Sequence, residues 1–260
     1  MAQCIRGVVC GREEEKGERG DRVENYSKLI MSYTIIENKK IEPHITFIRI
    51  NPNDIALTLR EVFESIANLS WINKFDDNYT RRSFSARAEK TINYIAENII
   101  KATDDTITSE SGEYVVSELA RKSIVSELNY LDIPLAELIK SKKIGNPGFD
   151  FYSENNENII LFGEAKYLSN KNAYGSAFSQ IVQFINEERH ITDLVEIDKF
   201  YGEKALENVS DNNEQGFVAA FASRNTVSEV LINQIKKNRN YAKLSKHREL
   251  ICVAVNIWIT

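Results

Sequence analysis

The triplet Glu164-Ala165-Lys166 closes the apolar run Ile159-Ile160-Leu161-Phe162-Gly163, and a second acid, Asp150, sits in the apolar segment Gly148-Phe149-Asp150-Phe151-Tyr152 a short polar turn upstream. Two carboxylates on neighbouring strands can hold a hard divalent cation through oxygen. Residues two apart on a strand share a face, so Lys166 projects beside Glu164. Such a cation generates hydroxide from a bound water and neutralises charge on a phosphate, while the lysine orients or deprotonates that water and offsets developing charge. The chemistry these residue types support is phosphodiester hydrolysis.

Glu-x-Lys is a common triplet, and this chain has it three times. Glu14/Lys16 lies in the charge run from Arg12 to Arg22, which reads as solvated chain. Glu37/Lys39 follows the strand-like Tyr33-Thr34-Ile35-Ile36, but no Asp ends an apolar strand shortly before it. Only Glu164/Lys166 has both a preceding hydrophobic run and an upstream Asp on its own strand. A structural alternative remains: a hairpin whose charged ends merely face water. For the acids to share a face, the register must set Asp150 level with an even-numbered residue of the second strand, because a one-residue slip turns the carboxylate away.

These strands need neighbours to hold them. Ser111 to about Tyr130 reads as a helix, and an acid on it could join the site. At about 100° per residue, Glu113 lies in line with Val116, Ala120, Ile124 and Leu131 on the face turned to the sheet. Glu127 falls slightly off that line and is the reserve. Glu118 points the other way with Arg121 and Lys122, where a solvated charge cluster is expected. After the hairpin, Ala173 to Glu187 reads as a helix with Ala177, Phe178, Ile181, Phe184 and Ile185 inward, and Gln180 on its polar side could position a water or a phosphate oxygen. A strand at Phe217 to Ala222, a basic helix from about Val227 to Leu244 and a strand at Leu250 to Ile259 complete an α/β core.

Upstream, strands are expected at Tyr33 to Ile36 and His44 to Ile50, joined by a polar turn at Glu37 to Lys40. Helices are expected from after Asn53 to about Asn68 and from about Ser85 to Lys101. The resulting division is a flexible charged tail over 1–22, an N-terminal α+β subdomain over 23–108 and a core over 109–260.

The chain has 260 residues and a formal net charge of −5, so any contact with nucleic acid must be local. Lys236, Lys237, Arg239 and Lys243, with Lys246 and Arg248 following, form the densest basic segment and are the candidate nucleic-acid contact. Arg81, Arg82, Arg87 and Lys90 read better as a solvated helix start. Cys4, Cys10 and Cys252 make no disulfide framework and have no histidine partner for zinc, which fits a reducing, cytoplasmic setting. His44, His190 and His247 are scattered and receive no chemistry. No membrane span and no Gly-rich phosphate loop of the Walker type is evident.

With Glu113, Asp150, Glu164-Ala165-Lys166 and the Gln180 helix in this order, the stretch from about Ser111 to Phe221 resembles the PD-(D/E)xK nuclease superfamily. Its proline is displaced, since Pro147-Gly148-Phe149-Asp150 stands where Pro-Asp is usual. The resemblance implies a restriction-endonuclease-like core of αβββαβ type, a central mixed sheet flanked by helices. It implies Mg²⁺ or Mn²⁺ held by Asp150, Glu164, the carbonyl of Ala165 and Glu113, with Lys166 and Gln180 as catalytic groups on DNA. Beside a metal and partly buried, Lys166 is expected to have a lowered pKa. Within the superfamily, Gly-Phe-Asp-Phe-Tyr and Gly-Glu-Ala-Lys-Tyr are similar to the HamA family, the nuclease subunits of Hachiman anti-phage defence systems. That similarity implies a HamB-like helicase partner. A stand-alone restriction or repair nuclease and a catalytically idle nuclease fold used for binding are the alternatives.

Overall fold

The computed structural model describes residues 32–96, 109–140, 148–224 and 226–257. Among these, one six-stranded sheet organises the protein: β1 (Tyr33–Glu42), β2 (Ile45–Pro52), β3 (Phe151–Glu154), β4 (Ile160–Lys166), β5 (Gly216–Ser223) and β6 (Glu249–Asn256). The spatial order is β1-β2-β6-β5-β4-β3. The two outer pairs, β1 with β2 and β3 with β4, are antiparallel, and β2, β6, β5 and β4 run parallel. The fold is therefore α/β with a mixed sheet.

Parallel neighbours need long crossovers, and the helices supply them. Between β4 and β5 lie α5 (Tyr174–Asn186), α6 (Arg189–Ile197) and α7 (Glu203–Ser210); between β5 and β6 lie α8 (Ser228–Lys236) and α9 (Tyr241–Leu244). The strands after residue 109 thus do not follow one another as an αβββαβ order requires, because three helices separate β4 from β5. The remaining helices are α1 (Ile55–Ala67), α2 (Asn78–Ile95), α3 (Ser109–Leu128) and the short α4 (Ala136–Ile139).

Fully buried β5 and β6 read as continuous apolar runs, as strands covered on both faces do. Phe162 of β4 packs against Phe149, Phe217 and His190, with Phe184 of α5 on Phe149, which puts α5 and α6 over the face carrying the even-numbered residues of β4. From the other side, α3 crosses the sheet with Val116, Ala120 and Ile124 buried.

Several boundaries differ from expectation for local reasons. Glu37 to Lys40 is not a turn; β1 runs through it to Glu42, with irregularities in register at Ile35/Glu37 and Lys40/Glu42. Alternating polar residues and lysines suit an edge strand. Asp54, not Asn53, caps α1, its carboxylate accepting from Leu57 N at 3.0 Å. The second helix starts seven residues before the expected Ser85, at Asn78, because Asp77 caps it by accepting from Thr80 N at 2.7 Å. The basic helix breaks between Lys236 and Tyr241. The parts expected to form a subdomain over 23–108 and a core over 109–260 share one sheet, since β2 is hydrogen-bonded along β6. The expected tail over 1–22 and the end of the second helix lie outside the described residues, as do Cys4 and Cys10. Cys252 is buried and unpaired.

Candidate active site

The strand ends bring the two acids close. Phe151 lies opposite Gly163, and the Asp150 N–H also donates to the Gly163 carbonyl at 2.9 Å, so the paired register begins at Phe151 and Asp150 stands just outside it. The even-numbered partner expected for Asp150 is therefore replaced by a side-chain contact with the backbone of β4. A short polar turn through Asn155 fixes this alignment: the Asn155 side chain accepts from the amides of Glu157 and Ile159, and Asn158 sits at φ 59°. Gly163 is required at the crossing, because a Cβ there would collide with the Phe151 ring.

At the end of β3 the Asp150 carboxylate takes the place of a ladder carbonyl, accepting from Ala165 N at 2.7 Å. The Lys166 ammonium sits 2.7 Å from Glu164 Oε1 and 3.6 Å from Glu113 Oε1. Glu113 reaches it because α3 comes close to the end of β4: Gly112 lies against the Tyr167 ring, where any side chain would clash. Glu113, Asp150, Glu164 and Lys166 are thus brought together. The reserve Glu127 is elsewhere, accepting from Asn38 of β1 at 3.2 Å.

Burial sets the electrostatics. Glu164 is only 2 % exposed, and its Oε2 has no hydrogen-bond partner. Burial, then the neighbouring Asp150 charge, pushes the Glu164 carboxyl well up, despite Lys166. Asp150 keeps part of its surface open, but its carboxylate lies deep among protein atoms, and that desolvation raises its pKa to about 7; Lys166 and the Ala165 amide pull it down, and Glu113 and Glu137 push it further up. Lys166 departs from expectation. Burial lowers its pKa, but Glu164, Asp150 and Glu113 together outweigh that and raise it above the ordinary lysine value. Three carboxylates around one ammonium hold the proton on it.

The donor set fits a hard cation. A buried carboxylate oxygen without a partner is costly unless a cation or proton satisfies it, and Glu164 Oε2 is such an atom. Among the described residues no group of three or more His, Cys, Asp or Glu side chains is placed to hold a metal ion, so a cation here would rest on the Asp150/Glu164 pair with backbone oxygen or water. Asp150 and Glu164 would be the central ligands, with the Ala165 carbonyl as the backbone oxygen and Glu113 joining through water.

A buried clamp behind the site holds Asp150 in place. Asp193 of α6 accepts through one oxygen from Lys140 Nζ at 2.7 Å, Tyr152 Oη at 2.8 Å and Phe149 N at 3.2 Å. Those groups flank Asp150, and the Lys140 ammonium also lies 5.2 Å from the centre of the Tyr152 ring.

Gln180 is half-buried on α5, on the side of the sheet that carries Lys166, with no hydrogen bond to Glu113, Asp150, Glu164 or Lys166. Glu118 corrects its reading as solvated. It is 1 % exposed, paired through both oxygens with Arg121 at 2.7 and 2.8 Å, and accepts from Ser65 of α1 at 2.6 Å. Arg121 also pairs with Asp132.

The basic segment is not at the site. Lys236 is held at the β1–β2 hairpin, 3.3 Å from the Ile41 carbonyl and 3.7 Å from Glu42. Lys166 lies four strands away and four residues further along, which at ~3.3 Å per residue and ~4.8 Å per strand is about 13 Å by 19 Å. Lys237, Arg239 and Lys243 follow Lys236 on the exposed surface. Among the exposed cations past the ends of β4 and β5 are Lys171 and Arg224; Arg224 follows β5, whose Phe221 pairs with Lys166. Its guanidinium donates to the Asn170 carbonyl at 2.8 Å, and buried Arg49 holds its carbonyl and that of Thr226 at 3.2 and 2.6 Å.

Sequence reasoning missed Glu137, Asp193 and Arg224. Glu137 had a signal: it is the only charged residue in the run Ile133-Pro134-Leu135-Ala136-Glu137-Leu138-Ile139. Compared with known proteins, the chain matches no family model and no curated sequence. Among the described residues no helix is long and apolar enough to cross a membrane.

Proposed function

We propose that this protein is a metal-dependent nuclease that hydrolyses DNA phosphodiester bonds from a restriction-endonuclease-like, PD-(D/E)xK type of site. The observation that carries the reading is the meeting of the two strand ends, where the Asp150 carboxylate accepts from the Ala165 amide between Glu164 and Lys166, with Lys166 on one Glu164 oxygen and the other oxygen unpartnered. Asp150, Glu164 and the Ala165 carbonyl would hold Mg²⁺ or Mn²⁺, with Glu113 joining through water. When bound, the cation lowers the pKa of a bound water and neutralises charge on the scissile phosphate.

The protein's own groups do the rest. Lys166 keeps its proton, so it acts as a cation: it orients the attacking water and offsets charge on the phosphate rather than removing a proton. Asp150, with its pKa raised to about 7 by burial, would hold the cation as the carboxylate. Arg224 meets the backbone beside the scissile bond. The Lys237, Arg239 and Lys243 surface would touch only DNA extending beyond the site.

The narrower reading is a cytoplasmic effector subunit of a bacterial anti-phage defence system, restrained by a helicase partner. Its support is the resemblance of the Gly148 to Tyr152 and Gly163 to Tyr167 segments to Hachiman nuclease subunits. Incubation with plasmid and linear DNA in Mg²⁺ or Mn²⁺, beside Glu164→Ala/Lys166→Ala, tests the activity. Cleavage by the native chain and none by the variant is expected; no cleavage by either, with a co-purified helicase and ATP present, refutes it. Co-purification with a helicase separates the defence subunit from a stand-alone enzyme.

A further inference from the structure

We propose that a surface cleft at the end of the sheet away from Asp150 and Glu164 binds a phosphate-bearing small molecule. The inference stands apart from the metal-dependent reading, and none of its residues belongs to the Glu113, Asp150, Glu164 and Lys166 set.

The cleft lies where the parallel strands β2 and β6 begin. One wall is the turn of the β1–β2 hairpin, with Lys40 and His44, and the other is the loop leading into β6, with Lys246 and Arg248. Between them lie Tyr130, just past α3, and the buried Glu249. Glu249 is level with Gly216 of β5 and so with Leu161 of β4, five residues before Lys166, which is about 17 Å along the strand. The volume of about 510 Å³ is that of a small-ligand site.

The walls are fastened to each other without a ligand. His44 Nε2 donates to the Ser245 carbonyl at 2.7 Å, and the Leu250 N–H donates to the His44 carbonyl at 3.1 Å. A preformed cleft loses less freedom on binding.

Charge sets the class of ligand. Glu249 is 3 % exposed and both its oxygens are taken, one by Tyr130 Oη and the other by Asn155 Nδ2, each at 2.9 Å. Lys40 comes no nearer to it than 3.8 Å and is itself exposed. Lys246 is exposed and makes no ion pair among the described residues. Arg248 divides its guanidinium between Glu157 and Glu214 at 3.5 and 3.6 Å, and exposed pairs of this kind contribute so little that an anion displaces them. Three cations therefore face one cleft on a protein whose formal net charge is −5. Phosphate packs several strong acceptor oxygens and more than one charge into a width that two ammonium groups and a guanidinium can share.

The test is calorimetric titration of the full chain with pyrophosphate and with ADP, in the absence of divalent cation. Native protein is expected to bind at least one of the two. Lys40→Ala/Lys246→Ala is expected to weaken that binding about tenfold or more, whereas Glu164→Ala/Lys166→Ala and the remote basic pair Lys237→Ala/Arg239→Ala should leave it unchanged. Native protein that binds neither probe overturns the proposal. An equal loss in Lys237→Ala/Arg239→Ala also overturns it, because general surface charge then accounts for the binding. A short single-stranded DNA that binds tighter than both probes, and is weakened by both basic pairs, makes the cleft part of a nucleic-acid path and refutes the small-molecule assignment. Both lysines are exposed, so the melting point should not move. Should the double variant melt lower, Lys246→Ala alone decides: weaker binding supports the cleft, and native affinity sinks it.

Discussion

Replacing Asp193 by alanine removes the acceptor that gathers Lys140, Tyr152 and Phe149 around the strand bearing Asp150. The Lys140 and Asp193 side chains are 18 % and 11 % exposed, so the pair is largely desolvated. Breaking a buried ion pair by deleting one partner costs about 3–5 kcal/mol, and residual exposure of Lys140 argues for the lower end. The freed Phe149 amide and Tyr152 hydroxyl add about 1 kcal/mol each where water does not replace the acceptor. We expect a loss of about 3–5 kcal/mol in urea unfolding followed by circular dichroism, and a melting point lower by roughly 10 °C. The double variant Lys140→Met/Asp193→Leu, which buries no lone charge, should recover at least half of that loss. DNA cleavage should fall in both, because Phe149 and Tyr152 flank Asp150. If Asp193→Ala unfolds within about 1 kcal/mol of the native protein, the clamp is not a structural support and the reasoning fails.

Gly112→Ala should destabilise the fold by about 1–3 kcal/mol through overlap with Tyr167, despite the better helix propensity of alanine, and should lower cleavage by displacing Glu113; an unchanged melting point contradicts the close approach. Without divalent cation, Asp150 binds its proton more tightly folded, with a pKa of about 7, than unfolded near 4. The unfolded state therefore holds fewer protons across that window, and stability should fall as pH rises from about 4.5 to 7, by about 2–4 kcal/mol after allowance for partial exposure. Asp150→Asn should flatten the trend; a native profile as flat as the variant's rules the shift out. Arg224→Ala should weaken binding of short DNA in Ca²⁺ and reduce the salt dependence by about one phosphate contact, whereas Lys237→Ala/Arg239→Ala/Lys243→Ala should leave both unchanged. The reverse pattern would move the DNA path to the other end of the sheet.

The part of the site carried by local pattern was legible. Asp150, Glu164 and Lys166 stand out because apolar strand runs and a turn are written in consecutive residues, and Glu113 followed from helical periodicity. What periodicity could not reveal was what lies on the far side of a helix. Glu118 seemed solvated beside Arg121 and Lys122, but α1 covers it and Ser65 bonds to it, a contact across 53 residues. The Lys166 pKa depended on counting all the carboxylates that topology brings near it, not on burial alone. The basic segment was correctly seen as exposed but lay at the other end of the sheet, because the crossover from β5 to β6 carries it away from the strand ends where Lys166 lies. A division into two parts near residue 108 followed from the order of the expected elements, but β2 and β6 from the two parts pair in one sheet.

That pairing, β2 alongside β6, joins residues about 200 positions apart, such as Ile45 and Leu250. On a ribosome making about 5–20 residues per second, β2 waits ten seconds or more for its neighbour. Until then β5 presents an open edge, while the β3–β4 hairpin is already closable from local contacts. The acid pair can therefore meet early, but the sheet that buries it is completed only when β6 has been made and inserted between β2 and β5.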